Sequence, residues 1–181
     1  MVSWRHRALL VLCVLAAGCS VGEGQGQVTL DVRAPACELD ERTYEIEPSF
    51  FSAEVTDRQI NLRIQRGSDI EGYADGLIVQ VQDVNEVFSN RLGIPIDISS
   101  ERTSLVRIVL YLNETCPSGF PDYVTVQPVI MEAQSGQLRF EAIYAPEIEP
   151  GATLIEGELI NVVFLDAGNP EETNATGNGD F

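Results

Sequence analysis

Apolar and polar residues alternate along parts of this chain, and that period of two constrains the fold more than any other feature. The alternation is clear over residues 28–33 and again over 60–65. Because successive side chains of a strand point to opposite faces, each segment predicts a strand with one buried face. Val, Ile and Leu are denser over 77–82 and 105–112, which indicates more central strands.

Three further strands are predicted in the second half of the chain. They cover residues 124–131, 138–144 and part of 154–165. Ser135-Gly136 lies between the first two and predicts a hairpin turn there.

One segment has the apolar spacing of a helix instead, with Val84, Val87, Phe88 and Leu92 on one face. Asp83, with Glu86 three residues later, resembles a capping box that starts a helix, and Gly93 followed by Pro95 predicts its end. The expected fold is all-β, an antiparallel β-sandwich of about seven to eight strands with one short helix. A partly open barrel is the alternative.

The first residues form a separate unit. Arg5 and Arg7 precede ten apolar residues, Ala8 to Ala17, as in a signal peptide. This run has about half of the roughly 20 residues that a membrane-spanning helix needs. It ends in Leu15-Ala16-Ala17-Gly18-Cys19, which resembles the lipobox of bacterial lipoproteins. An ordinary signal-peptidase site, with Cys19 left as a thiol, is the alternative.

The resemblance to lipoproteins implies that residues 1–18 are removed and that Cys19 carries lipid. Two or more acyl chains would hold the protein stably on a membrane without any apolar helix. Residues 19–27 are small, polar and glycine-rich, which predicts a flexible tether after the lipidated cysteine. An Asp after the cysteine tends to retain such proteins at the inner membrane. Because this chain has Ser20, we expect the outer membrane, facing the periplasm or the exterior.

Charge and composition exclude several functions for the exported protein. Without Arg5 and Arg7 it has 9 basic and 28 acidic residues, so nucleic acid is not an expected partner. The chain has no Lys, and its one His and one Trp, His6 and Trp4, lie in the leader. Histidine-based triads, histidine-ligated zinc and Schiff-base chemistry are therefore excluded from the mature protein. The acidic surface itself is typical of a well-solvated exported protein.

Two cysteines remain after Cys13 is removed and Cys19 is lipidated. In an oxidising envelope, Cys37 and Cys116 predict a disulfide, and a reactive thiol pair is the alternative. The folded domain is expected over residues 28–166, followed by an acidic flexible tail over 167–181.

Two groups of carboxylates are candidates for binding or chemistry. Glutamates two residues apart point to one side of an extended chain and could bind calcium or act as a glycosidase pair, although a solvated strand edge is the simpler interpretation. The oxygen-rich C-terminal segment could also bind calcium, but it lacks the residue order of an EF-hand loop. The pairs are Glu45 with Glu47, Glu147 with Glu149 and Glu156 with Glu158, and the C-terminal residues are Asp166, Asn169, Glu171, Glu172, Asn174, Asn178 and Asp180.

The segment 116–123 is the candidate binding loop. A disulfide at Cys116 would pin its base, and Phe120, Asp122 and Tyr123 would then stand on a stiff frame. Rigid aromatic side chains lose little entropy on contact with a partner. The alternative is that both rings fold back onto the core. Tyr73 invites the same argument with less support.

These observations predict a non-enzymatic, lipid-anchored interaction module of the cell envelope. Its partner would be an envelope protein or polymer, in addition to the membrane. A calcium- or glycan-binding surface module and a carboxylate-dependent hydrolase are the alternatives. No residue is assigned as catalytic, and no metal site or cofactor is assigned.

Overall fold

The computed structural model describes residues 19–22, 24–37, 39–66, 74–116, 129–151 and 153–181. Within these ranges it has eleven strands and one α-helix, together with a short 3₁₀ turn over Pro35–Cys37. No helix in the described residues is long and apolar enough to cross a bilayer. In chain order, the elements are β1 Cys19–Gly22, β2 Gln27–Ala34, β3 Leu39–Ile46, β4 Phe50–Thr56, β5 Gln59–Gln65, β6 Asp75–Val81, α1 Val84–Asn90, β7 Ile96–Asp97, β8 Val106–Leu112, β9 Val129–Ala142, β10 Glu156–Asp166 and β11 Asn174–Asp180.

The strands pair antiparallel in one continuous sheet. Its order is β1-β4-β5-β6-β8-β9-β10-β11-β2-β3, and β7 pairs with β9 beside this path. Side chains from strands throughout the order share one core cluster, so the sheet curls and its opposite parts face each other across the core. The predicted all-β antiparallel class with one short helix is confirmed, and the two packed layers belong to a single sheet.

The segments with clean alternation fold as the pattern predicts. In β2, Val28, Leu30 and Val32 are buried and the residues between them are exposed. The apolar residues of β5 are buried in the same way. Burial of each such side chain stabilises the fold by about 1.5 to 3 kcal/mol.

The helix forms where the capping signal predicts it. The Asp83 carboxylate accepts a hydrogen bond from the Glu86 backbone N–H at 3.0 Å, which satisfies one of the free donors of the first turn. Val84 and Val87 are buried against the core. The chain leaves the helix through Gly93, whose φ of +71° favours glycine.

The predicted hairpin at Ser135-Gly136 is wrong, because β9 continues through it as one strand of 14 residues. Gly136 has a φ of +120°, and a Cβ on it would lie 2.6 Å from the Cα of Val162 in β10. Asn161, opposite, has a φ of +49°, and the register shifts between Ile160 and Val163. The glycine therefore forms an irregularity that bends a strand pair instead of reversing the chain.

The predicted flexible tail is wrong for the last residues. β11 lies between β10 and β2 and pairs with both, so it is an internal strand of the sheet. A Cβ on Gly177 would clash with the carbonyl oxygen of Thr29 in β2. The glycines that suggested disorder are instead required where neighbouring backbones approach closely.

The predicted flexible tether is also wrong over its first four residues. β1 pairs with the edge strand β4, with Cys19 opposite Glu54 and Gly22 opposite Phe51. An edge strand has unpaired backbone N–H and C=O groups, and these can bind a short polar segment irrespective of its side chains.

Candidate functional site

Several connections of the sheet meet at one end, which we call the disulfide end. Register pairs Gln65 with Gly76, Asp75 with Leu112, and Leu112 with Val129. The connections after β5 and after β8 therefore start side by side. Cys37 and Cys116 form a disulfide with 4.9 Å between their Cα atoms, and it brings the connection after β2 to the same place.

A buried carboxylate organises this end. Asp75, the first residue of β6, is fully buried and accepts a 2.5 Å hydrogen bond from the Tyr44 hydroxyl. The Thr115 hydroxyl donates to the same carboxylate oxygen. The backbone N–H groups of Glu114 and Thr115 donate to Asp75 Oδ1 at 2.8 and 3.2 Å. Such a set of donors compensates for the desolvation of a buried carboxylate.

This network closes the curled sheet. Tyr44 belongs to β3, the last strand in the sheet order, whereas Asp75 begins β6 in the middle of it. The Tyr44 hydroxyl also lies 2.7 Å from the Thr115 hydroxyl, next to the disulfide. Polar contacts and one covalent bond therefore fasten β3 to the segment that follows β8.

The same surroundings change the acidity of the tyrosine. Burial, together with the hydrogen bond to Asp75, raises the pKa of Tyr44 to about 12. Arg66 lies near the tyrosine oxygen, and this contact raises the pKa of the exposed guanidinium. Tyr44 thus stays neutral over the physiological range and acts as a donor to Asp75.

A second buried polar pair lies beside the first. Gln65, at the end of β5, is fully buried and accepts a 2.8 Å hydrogen bond from the Tyr111 hydroxyl. The carboxylate of Asp75 is withdrawn from solvent and occupied by donors. Through these hydrogen bonds, Asp75 holds the backbone at Glu114 and Thr115 in place.

The binding-loop residues predicted from sequence, Phe120, Asp122 and Tyr123, lie outside the described residues, as does Tyr73. The segment that contains the first three begins directly after Cys116, which forms the predicted disulfide with Cys37. Cys19 lies in β1, opposite Glu54 in the sheet.

The structure separates the three glutamate pairs and gives them different surroundings. Glu45 and Glu47 are exposed beside Arg66, and Glu147 and Glu149 are exposed in the connection after β9. Glu158 is an ion-pair partner of Arg139 in the neighbouring strand, while Glu156 is exposed. These carboxylates therefore face solvent, an arginine or, for Glu147, the Asn85 amide, and this arrangement favours the solvated-edge interpretation.

The oxygen-rich C-terminal residues are divided between a turn and a strand. Asp166 accepts hydrogen bonds from the backbone N–H groups of Gly168 and Asn169 at 2.6 and 2.9 Å, so its carboxylate shapes the turn before β11. Asn178 lies in β11 and accepts from the backbone N–H of Asn161. Among the described residues, no three His, Cys, Asp or Glu side chains come together as a metal site.

A cleft of about 1050 Å³ lies on another part of the surface. Phe51 and Ala53 of β4 line one side, and β10 and β11 line the other. Its walls combine apolar groups, including Leu62 and Leu154, with polar groups such as Arg63. Two backbone hydrogen bonds with Gly157, of 2.8 and 3.0 Å, hold Phe181 in the wall.

Sequence reasoning missed the Asp75 network because its partners lie far apart in the chain. Tyr44 and Thr115 are 31 and 40 residues from Asp75. One signal was present, namely an aspartate at the first position of the apolar strand 75–81. A carboxylate there must find buried donors or reach solvent, but the sequence does not say which.

No protein family, no curated protein and no solved structure matches the chain. Evidence about function therefore comes from the fold, the disulfide end and the cleft.

Proposed function

We propose that this protein is a lipid-anchored cell-envelope protein that acts as a non-enzymatic interaction module and binds its partner with the loops of the disulfide end. One observation carries the proposal: Cys19 and the strand ends where those connections start lie towards opposite ends of the sheet. Cys19 pairs with Glu54, near the end of β4, whereas the connection after β5 starts at Gln65, which pairs with Phe50 at the start of β4. A lipid on Cys19 would leave the loops facing away from the membrane.

The chemistry at the base of the loops fits this role. The disulfide and the Asp75 network fix the chain at residues 37, 75 and 115–116, so the loops extend from rigid points. Binding residues are often found on loops that a rigid scaffold positions. The predicted contact residues Phe120, Asp122 and Tyr123 belong to one of these loops.

The partner is tested by cross-linking the full-length, lipidated protein in its native envelope. We expect one stoichiometric partner, lost when Phe120 and Tyr123 are both changed to Ala. The control is Thr176→Ala, which changes an exposed side chain in β11 and should keep the partner. Recovery of the protein alone, or equal capture by both variants, would contradict the proposal.

The anchor is tested separately with Cys19→Ala. We expect this variant to lose incorporation of labelled fatty acid and to leave the membrane fraction. If Cys19→Ala still took up label and sedimented with membranes, the lipoprotein interpretation would be wrong.

The cleft supports a second candidate, a glycan-binding module. Half-buried Phe51 can stack on a sugar ring, and polar groups such as Gln27, Thr29 and Asn178 can bond hydroxyls. Thermal unfolding in the presence of cell-wall oligosaccharides checks this candidate. The same measurement with calcium checks the calcium-binding alternative. A rise in Tm with an oligosaccharide that Phe51→Ala abolishes would favour the glycan module, and no rise would remove it.

A further inference from the structure

The end of the domain opposite the disulfide, which we call the helix end, exposes large apolar side chains. It comprises the β4–β5 turn at Asp57–Arg58, α1, residues 91–95, and the described residues 143–151 and 153–155. Among the described residues, four large hydrophobic side chains are strongly exposed, and three of them belong to this end. They are Ile94 at 49 %, Ile148 at 44 % and Leu154 at 64 % exposure, while the fourth, Ile130 at 49 %, lies near the disulfide end.

Contacts join these connections into one surface. Arg58 in the β4–β5 turn forms a 2.7 Å ion pair with Asp83, at the start of α1. Asn85 of α1 donates a 2.6 Å hydrogen bond to Glu147, next to Ile148. Leu154 lines the cleft together with Ala53 of β4, which pairs with Ser20 of β1.

Cys19 joins the sheet close to this surface. It lies opposite Glu54, three residues before the turn at Asp57. Pairing begins at Cys19 itself, so no unpaired residues separate its backbone from the sheet. Strand residues are spaced about 3.3 Å apart, so the four-residue strand β1 keeps the lipid attachment point at Cys19 close to the domain.

We propose that the helix end docks on the bilayer surface, with Leu154 and Ile148 entering the headgroup region beside the lipid of Cys19. This inference rests on the proposed lipid anchor and goes beyond it, because it orients the domain. Attachment makes contact with the bilayer intramolecular, so a few apolar side chains are enough. Glu147, Glu149 and Glu156 flank them, and their charge fits a neutral headgroup such as phosphatidylcholine better than an anionic one.

The absence of tryptophan after residue 18 provides a clean test, since Trp4 in the leader is the only one in the chain. Lipidated protein carrying Leu154→Trp, and separately Ile148→Trp, is reconstituted in phosphatidylcholine vesicles with brominated acyl chains, which quench nearby indoles. The matched control is Ile130→Trp, which places the same reporter at a side chain of similar exposure near the other end. Thermal unfolding checks that each variant is folded.

We expect emission from Leu154→Trp and Ile148→Trp to fall by about half or more, as for a side chain at the headgroup boundary. Ile130→Trp should keep its emission. Equal quenching in all three variants, or none in any, would overturn the docking surface.

Vesicle flotation and the mass of the Cys19 peptide separate this inference from the anchor. If the protein carries lipid and floats but Leu154→Trp is not quenched, the anchor stands and the docking surface is wrong. If the peptide has no lipid and the protein does not float, both are wrong, because docking depends on attachment.

Discussion

Different interactions stabilise the two ends of the domain. At the disulfide end, a covalent bond and a buried carboxylate with several donors join strands that are distant in the sheet. At the helix end, Val84 and Val87 pack on the core, and the polar contacts are exposed, such as the pair Arg58 and Asp83. Exposed ion pairs contribute only about 0 to 1 kcal/mol, whereas breaking a buried network costs several times more.

This difference is consistent with the uses that we propose for the two ends. The connections after β5 and β8 start at the rigid end, and rigidity there would lower the entropy cost of binding the partner that we propose. The less constrained end is the one that we propose to dock on the membrane, where the proposed lipid on Cys19 would substitute for precise geometry. Variants that remove one constraint at a time test whether the two ends differ in this way.

The largest expected effect is loss of the disulfide. The bond joins residues 79 positions apart, and replacing both Cys37 and Cys116 with Ala should lower the free energy of unfolding by about 4 to 5 kcal/mol. Urea unfolding measures the change, and the wild-type protein in reductant is the matched control. Amide exchange should rise more in β3 than in α1. A loss below about 1 kcal/mol, or equal exchange in both, would contradict the comparison.

Removal of the buried carboxylate should have the next largest effect. Asp75→Ala leaves the Tyr44 and Thr115 hydroxyls and two backbone N–H groups without their acceptor, so we expect a loss of about 3 kcal/mol or more. Asp31→Ala is the control, because Asp31 is exposed and accepts an exposed hydrogen bond from Thr43. It should change stability by less than about 0.5 kcal/mol. Similar losses of stability in the two variants would show that the buried hydrogen bonds of Asp75 contribute no more than the exposed one of Asp31.

The fold could be predicted from sequence where one local signal decided the structure. The alternating residues of β2 and β5 and the cap at Asp83 belong to this class, because the residues that matter are neighbours in the chain. β3 was missed because the charged run Asp40 to Arg42 interrupts the alternation. β1 and β11 were missed because backbone pairing with neighbouring strands, and not apolar side chains, places them.

The candidate site was predictable only in its covalent part. Counting cysteines was enough to pair Cys37 with Cys116, and hence to place the base of the loop. The Asp75 network depends on a curl of the sheet that brings β3 to β6, and no pattern in the sequence encodes that curl. Gly136 shows the same limit, since its role depends on Asn161 in the opposite strand.

A smaller effect is expected at the helix end. Asp83→Ala removes the cap of α1 and should cost about 1 kcal/mol. Asp83→Asn keeps a capping oxygen but loses the charge that faces Arg58, and should change stability by only a few tenths of a kcal/mol. Urea unfolding of the two variants measures the difference. If Asp83→Asn lowered the free energy of unfolding as much as Asp83→Ala, the ion pair with Arg58, and not the helix cap, would be the main contribution of Asp83.

The last expected effect is a change in how stability depends on alkaline pH. The fold raises the pKa of Tyr44 from 10.0 to about 12. Between these pH values, the folded protein therefore keeps the Tyr44 proton while the unfolded chain loses it. The stability that this provides is complete below pH 10 and is lost as the pH rises towards 12. The chain has no lysine to titrate in the same window.

Tyr44→Phe removes this linkage, and we expect its stability to fall less steeply than that of the wild type between pH 10 and 12. The variant should be less stable at neutral pH by about 1 kcal/mol, because the hydrogen bond to Asp75 is gone. The two curves should therefore converge as pH rises, and urea midpoints across the window measure this. Parallel curves would mean that the Tyr44 proton is not held by the fold, and that the closure of the sheet depends on the disulfide more than on the Asp75 network.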